Sequence, residues 1–148
     1  MGTRPRVVTD AQTSARMKRI RQRDTKPELM LRRWLWARGI RFTTSNRDLP
    51  GSPDLANRKH RWAIFVHGCF WHGHENCVRS RLPKRNEEFW RDKIDTNKER
   101  DRRKAAQLSE MGFYVMTIWG CEVDKLGELT PQQEAHLLDP LRRLNPPR

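Results

Sequence analysis

The chain has 148 residues, 31 of them Lys or Arg against 18 Asp or Glu, giving a net charge of +13 and an isoelectric point near 10.8. That length fits one domain able to bury roughly 70% of its unfolded surface, and the charge suits a polyanionic partner, because each neutralised phosphate releases condensed counterions. There is no apolar run near the roughly 20 residues of a membrane span and no apolar signal segment, and three cysteines cannot all pair within one chain; a soluble cytoplasmic protein with thiolate ligands is expected, rather than a membrane protein or a disulfide framework.

Residues 1–22 carry Arg16, Lys18, Arg19 and Arg21 among few apolar residues, which predicts a mobile basic arm that orders along phosphates. Thr25-Lys26-Pro27-Glu28 reads as a capping box opening a helix, with Glu28 reaching back to the cap amide and Gly39 as the left-handed stop. Residues 40–67 read as three short strands joined by turns, with the loop 46–53 leading into Asp54. A lone aspartate after such a turn is more often structural than functional. The continuous apolar run Trp62-Ala63-Ile64-Phe65-Val66 predicts a central strand buried on both faces and ending at His67.

Beyond the strand, Asn86 is expected to cap a long helix running to Met111, with Gly112 as its stop. Ile94, Asn97, Asp101, Ala105 and Leu108 share one face of it. Asn97 and Asp101 therefore interrupt a buried stripe, either because the stripe reaches the surface or because Asp101 turns toward a site and orients a histidine. Phe113 to Trp119 reads as a second buried strand delivering Cys121, and Thr130 to Leu144 as a last amphipathic helix.

The richest stretch is Val66 to Cys77, which holds three histidines, two cysteines and two large aromatics. Cys69, His74 and Cys77 have soft-ligand chemistry at short spacing and need one more donor for a tetrahedral zinc site; Cys121 is the only other cysteine. His67 and His72 flank Phe70-Trp71, a pairing that suggests proton transfer on a substrate into which the aromatics insert. Trp90 either joins that wedge or belongs to the core. With the basic charge, DNA is the expected substrate: inserting aromatics at a base step costs a few kcal/mol of unstacking, least where a mismatch already weakens the stack.

From about Ser14 to Val123 the chain resembles the very short patch repair DNA mismatch endonucleases, a branch of the restriction-endonuclease-like superfamily. The matching runs are Arg23-Asp24-Thr25 with Glu28, Leu49 to Asp54, Phe65 to His74, Glu88-Phe89-Trp90 with Lys93, Asn97 to Arg102, and Trp119 with Cys121. The resemblance implies an α/β fold, a single restriction-endonuclease-like domain over residues 23–145 with a central mixed sheet flanked by helices, followed by a tail at 146–148. It also implies a structural zinc and Mg²⁺-dependent nicking of one strand beside the thymine of a T:G mismatch, the product of 5-methylcytosine deamination.

Carried over residue by residue, Asp54 and the backbone carbonyl of Val66 would hold Mg²⁺, and Glu28 would be the catalytic-site glutamate. His67 and His72 would be the active-site histidines, with His72 preparing the attacking water and Asp101 fixing the tautomer of His67. Cys69, His74, Cys77 and Cys121 would hold Zn²⁺, and Phe70, Trp71 and Trp90 would meet the DNA. At Phe65-Val66-His67 a histidine stands where the superfamily usually has a lysine. The expected partner is double-stranded DNA with a T:G mismatch, bound by a cytoplasmic monomer, associated with the nucleoid if the source is bacterial, with a functional link to a cytosine-5 DNA methyltransferase. Two other readings stay open: a nuclease of the same fold acting on another DNA structure or modification, and a zinc-stabilised DNA-binding module without catalysis.

Overall fold

The computed structural model describes residues 24–144, and side chains up to residue 142. The basic arm, with Arg16, Lys18, Arg19 and Arg21, and the tail at 146–148 lie outside the described residues.

Helix α1, Lys26–Ala37, starts as the sequence predicts, with Thr25 Oγ1 accepting from the Glu28 amide at 3.5 Å. The reciprocal bond is displaced by one residue: Glu28 Oε2 accepts from the amide of Asp24, at 3.0 Å, rather than from that of Thr25. The helix closes in a Schellman turn, in which Gly39 donates to Trp36 O and Ile40 to Leu35 O, while Gly39 takes φ +80°.

Strands β1 (Leu55–Asn57), β2 (Trp62–His67) and β3 (Tyr114–Trp119) form one mixed sheet in that order. β1 runs antiparallel to β2, and β3 parallel to it. β2 is central and buried along nearly all its length, as its unbroken apolar run requires. Alternation along β2 divides the core. Trp62 and Ile64 meet Leu31 and Leu35 of α1 and Leu138 and Leu141 of α4 (Pro131–Leu144), whereas Ala63 and Phe65 meet Leu108 and Phe113 on the other face. Each fully buried leucine contributes about 2–3 kcal/mol by burial alone. His67 continues the second alternation and therefore faces α2 (Glu87–Glu110), the crossover helix that parallel strands require. A four-residue turn of helix, α3 (Gly120–Val123), follows β3.

Three expectations are corrected. The first of the three short strands shrinks to a single bridge between Thr43 and Ala56, because the chain beyond it curls into turns, with Asn46 bonding Thr43 O and Pro53 O. The strand after Gly112 is an edge strand with Tyr114 42% exposed, not a buried one, since among the described residues nothing pairs beyond it. Asn86 stands at the start of α2 in the left-handed region, φ 58°, and its side chain makes no cap bond. A capping side chain needs extended backbone; here Glu87 and Glu88 supply the negative charge that the helix start favours. The other end of α2 matches expectation: Gly112 at φ +88° completes a Schellman turn in which Phe113 donates to Leu108 O, and both residues enter the same core cluster.

Candidate active site and metal-holding cluster

The functional side chains gather at the carboxyl ends of the parallel strands β2 and β3, where ligands of open α/β sheets bind. After His67 the chain winds one tight turn: His72 donates to Gly68 O at 3.1 Å and His74 to Cys69 O at 2.9 Å. Gly73 permits this turn at φ +65°, with α2 packed so closely that a Cβ there would lie 2.6 Å from Cγ2 of Ile94. Asn76 turns the chain back at φ 56°, and Ser80 Oγ lies between the carbonyls of His74 and Cys77, sharing its one proton between them and folding the segment into a knuckle.

That knuckle meets Cys121, in the short helix α3. Ligand atoms of Cys69, His74, Cys77 and Cys121 all lie within 4.8 Å of one another, and His74 Nδ1 is 3.4 Å from Cys121 Sγ. Edges of a tetrahedral sulfur and nitrogen site are about 3.6 Å, from its metal–ligand distances, so the four residues could hold a metal ion. The thiols crowd one another. Burial first, and then hydrogen bonds and charge from Cys69 and Cys77, push Cys121 up to about 11. At Cys77 burial also raises the value, but hydrogen bonds from the Arg79 amide, the other two thiols and the Ser80 amide outweigh it and lower it. A bound cation would let all three act as thiolates.

The second cluster joins β2, the loop and α2. His67 and His72 stack face to face, centroids 3.9 Å apart and planes at 6°, and His72 Nδ1 lies 2.6 Å from Asp101 Oδ2. Asp101 does turn toward the site, but it orients His72 and not His67, because the turn at Gly68–His72 brings the second ring to the helix. One helical turn earlier, Asn97 Nδ2 donates to Trp71 O at 2.9 Å, so the two polar residues that interrupt the α2 stripe both grip the loop. Burial, followed by the charge of His72, lowers His67 to about 4 and leaves it neutral near pH 7. These three side chains also lie within 4.8 Å of one another. Parallel stacked imidazoles do not converge their lone pairs on one point, however, and His72 Nδ1 is already bonded, so the arrangement suits proton transfer better than metal chelation.

Beside it lie the carboxylates. Asp54 Oδ2 accepts the Val66 amide at 2.7 Å. The β1–β2 ladder ends at Leu55 and Ile64, so the Val66 amide takes the Asp54 side chain as its acceptor, and the Val66 carbonyl leaves the strand on that same side. Glu28 is only 5% exposed, and its Oε2 also accepts from Arg32 at 3.4 Å. Burial raises Asp54 to about 7; the Val66 amide opposes this, the Glu28 charge adds to it and Arg32 offsets part. Glu28 thus both ties down the start of α1 and faces Asp54. A divalent cation would relieve the repulsion between the two carboxylates, and oxygen donors of this kind suit a hard metal.

Phe70, Trp71 and Trp90 form an edge-to-face trio with centroids 5.2 to 5.8 Å apart. Trp90 is 7% exposed and forms the floor on which the half-buried Phe70 and Trp71 rest. Sequence reasoning gave no role to Trp119, whose ring lies between His74 and His67, nor to Asn46, buried behind the turn that presents Asp54. The cross-strand register, which would have pointed to Trp119, is not written in any one segment.

Residues 6–79 match the family described as DNA mismatch endonuclease Vsr. The chain is 42% identical over 124 residues to the type II nicking enzyme V.XorIIP of Xanthomonas oryzae pv. oryzae, covering 84% of this chain and 90% of that protein. It is 39% identical over 122 residues to DNA mismatch endonuclease Vsr of Escherichia coli, covering 82% and 78%. With the type II nicking enzyme V.NmeAIP of Neisseria meningitidis the identity is 37% over 117 residues, covering 79% and 83%.

Proposed function

The chain belongs to the Vsr family of DNA mismatch endonucleases, and from that premise we propose that it nicks one strand of duplex DNA beside the thymine of a T:G mismatch, using Mg²⁺ and stabilised by Zn²⁺. The observation that carries this reading is the juxtaposition at the end of β2. There the half-buried Asp54 with the buried Glu28 beside it, the stacked His67–His72 relay and the aromatic trio gather around one strand and the turn that follows it.

In this reading residues 23–145 form a restriction-endonuclease-like domain. Asp54 and the Val66 carbonyl, with Glu28 beside them, would hold Mg²⁺, which would supply polarisation of the scissile phosphate and offset the charge that develops there. His72 donates Nδ1–H to Asp101, leaving Nε2 bare to take a proton from the attacking water. His67 stays neutral against His72 and assists at the phosphate. Phe70 and Trp71 insert at the weakened stack of the mismatch, supported by Trp90, while the basic surface takes the phosphates without regard to sequence. Zn²⁺ fits the sulfur and nitrogen donors of Cys69, His74, Cys77 and Cys121, and held there it would tie the active-site turn to the end of β3. The enzyme acts as a monomer on damage left by deamination of 5-methylcytosine, and so alongside a cytosine-5 DNA methyltransferase. Among the described residues no helix is long and apolar enough to cross a membrane.

A nicking assay on two duplexes that differ only in a T:G or T:A pair, with Mg²⁺ or EDTA, tests the reading. Cleavage of the T:G duplex alone, lost in EDTA and in Asp54→Ala while that variant still binds the duplex, is the expected result. Equal cleavage of both duplexes, or cleavage that survives EDTA, would overturn it.

A further inference from the structure

The β2–β3 register sets Trp119 directly opposite His67, and residues paired across a ladder project side by side from the same face. The Trp119 indole lies flat on His74, centroids 4.3 Å apart and planes at 8°, and meets His67 in an edge-to-face arrangement at 5.4 Å and 72°. His74 in turn touches Cys121, and His67 stacks on His72, which is bonded to Asp101. A continuous file of packed rings therefore runs from the cysteine–histidine cluster to the proton relay, with Trp119 as its middle member.

We propose that Trp119 is a positioning residue, which transmits the metal-held setting of His74 to the ring of His67 and so fixes the catalytic histidine pair; this rests on the endonuclease reading above. Its backbone is itself anchored, since the Trp119 amide donates to Glu122 Oε1 at 3.1 Å and the next residue but one is Cys121. Removing the indole opens a gap between two imidazoles. His67 and His74 then each lose one wall, while the aromatic trio and the carboxylate pair keep their contacts and the four metal-holding side chains keep one another. A reactive group displaced by about 1 Å can lose on the order of 100-fold in rate, so the effect falls on turnover rather than on binding.

The test compares full-length wild type with Trp119→Ala and Trp119→Phe in four measurements: zinc content, affinity for a T:G duplex, kcat and KM for nicking, and the ¹H–¹⁵N imidazole NMR spectrum. Trp119→Ala is expected to keep its zinc and to hold duplex affinity and KM within about twofold, while kcat falls about 10- to 100-fold. The ring-current shifts of His67 and His74 should disappear in that variant. Trp119→Phe, which keeps a planar ring, should restore most of kcat. Unchanged kcat in the alanine variant, a joint fall of zinc, affinity and kcat, or a phenylalanine variant no better than alanine would each overturn the proposal. If the alanine variant fails to fold, Trp119→Leu replaces it with an apolar side chain that has no ring plane, and the same outcomes apply. A wild type that nicks no T:G duplex sinks the endonuclease reading instead; the proposal is then judged by the NMR arm, where unmoved His67 and His74 resonances overturn it and shifted ones support the ring contact.

Discussion

Gly73, between His72 and His74, has φ +65°, and a Cβ there would stand 2.6 Å from Cγ2 of Ile94 and 2.9 Å from Cε of Lys98. Gly39 has φ +80°, yet a Cβ there would meet nothing within 4 Å. Alanine at Gly39 therefore carries only left-handed strain, about 1–2 kcal/mol. At Gly73 the same strain is joined by overpacking of about 1–3 kcal/mol. The lysine stem can bend away, but Ile94 is buried and its χ1 is held by the helix, so the isoleucine contact sets the size of the effect. Urea unfolding at fixed zinc concentration should show Gly73→Ala destabilised by about 2–5 kcal/mol and Gly39→Ala by about 1–2, with similar m-values. Nicking by folded Gly73→Ala should fall at least about tenfold, because the displaced turn carries His72 away from Asp101. Equal stability losses in the two variants, or full activity in Gly73→Ala, would refute the argument that this glycine is required by packing against α2.

Cys121→Ser should lose zinc during purification and unfold at lower urea, by about 2 kcal/mol or more, since the fourth donor joins the loop to the end of β3; full metal content would remove Cys121 from the set. Without metal, Asp54→Asn should gain stability over wild type as pH rises from 4 to 7. Asp54 has a folded value of about 7 against an ordinary 3.8, so in that window the folded state holds a proton the unfolded chain has released, and wild-type stability falls with pH. The difference should widen by on the order of 3 kcal/mol; His67, lowered to about 4, contributes the opposite slope in both proteins and cancels. A constant difference between wild type and variant across pH 4–7 would contradict the burial of Asp54. Trp71→Ala should lose about 5- to 150-fold in preference for T:G over matched duplex, the worth of one base–aromatic stack, with matched-duplex affinity nearly unchanged; an equal preference would place Trp71 in the core.

The local signals of this chain were legible because they act over a few residues. The Thr25 cap, the Gly39 and Gly112 stops, the central strand implied by Trp62 to Val66, and the stripe Ile94–Leu108 are all present. So was the donor set: Cys69, His74 and Cys77 lie within one turn and knuckle, and a lone remaining cysteine left one candidate for the fourth position, which the fold does bring to them. The resemblance to a family, carried by motifs spread across the chain, likewise needed no coordinates.

What depended on register and on contacts between distant segments could be decided only by the tertiary structure. Whether Asp101 would serve His67 or His72 turned on where one loop turn sets the second imidazole, and the fold gives it to His72. Trp90 became the floor of the aromatic trio because α2 packs inward there, though its spacing in the sequence allowed either role. The exposure of β3 followed from the absence of a further paired strand among the described residues, whereas its apolar composition suggested burial. Trp119, matched in the sequence only as part of a motif, gained a role once parallel pairing set it against His67, because a ladder's register is fixed by packing over the whole sheet and not by the residues of either strand alone.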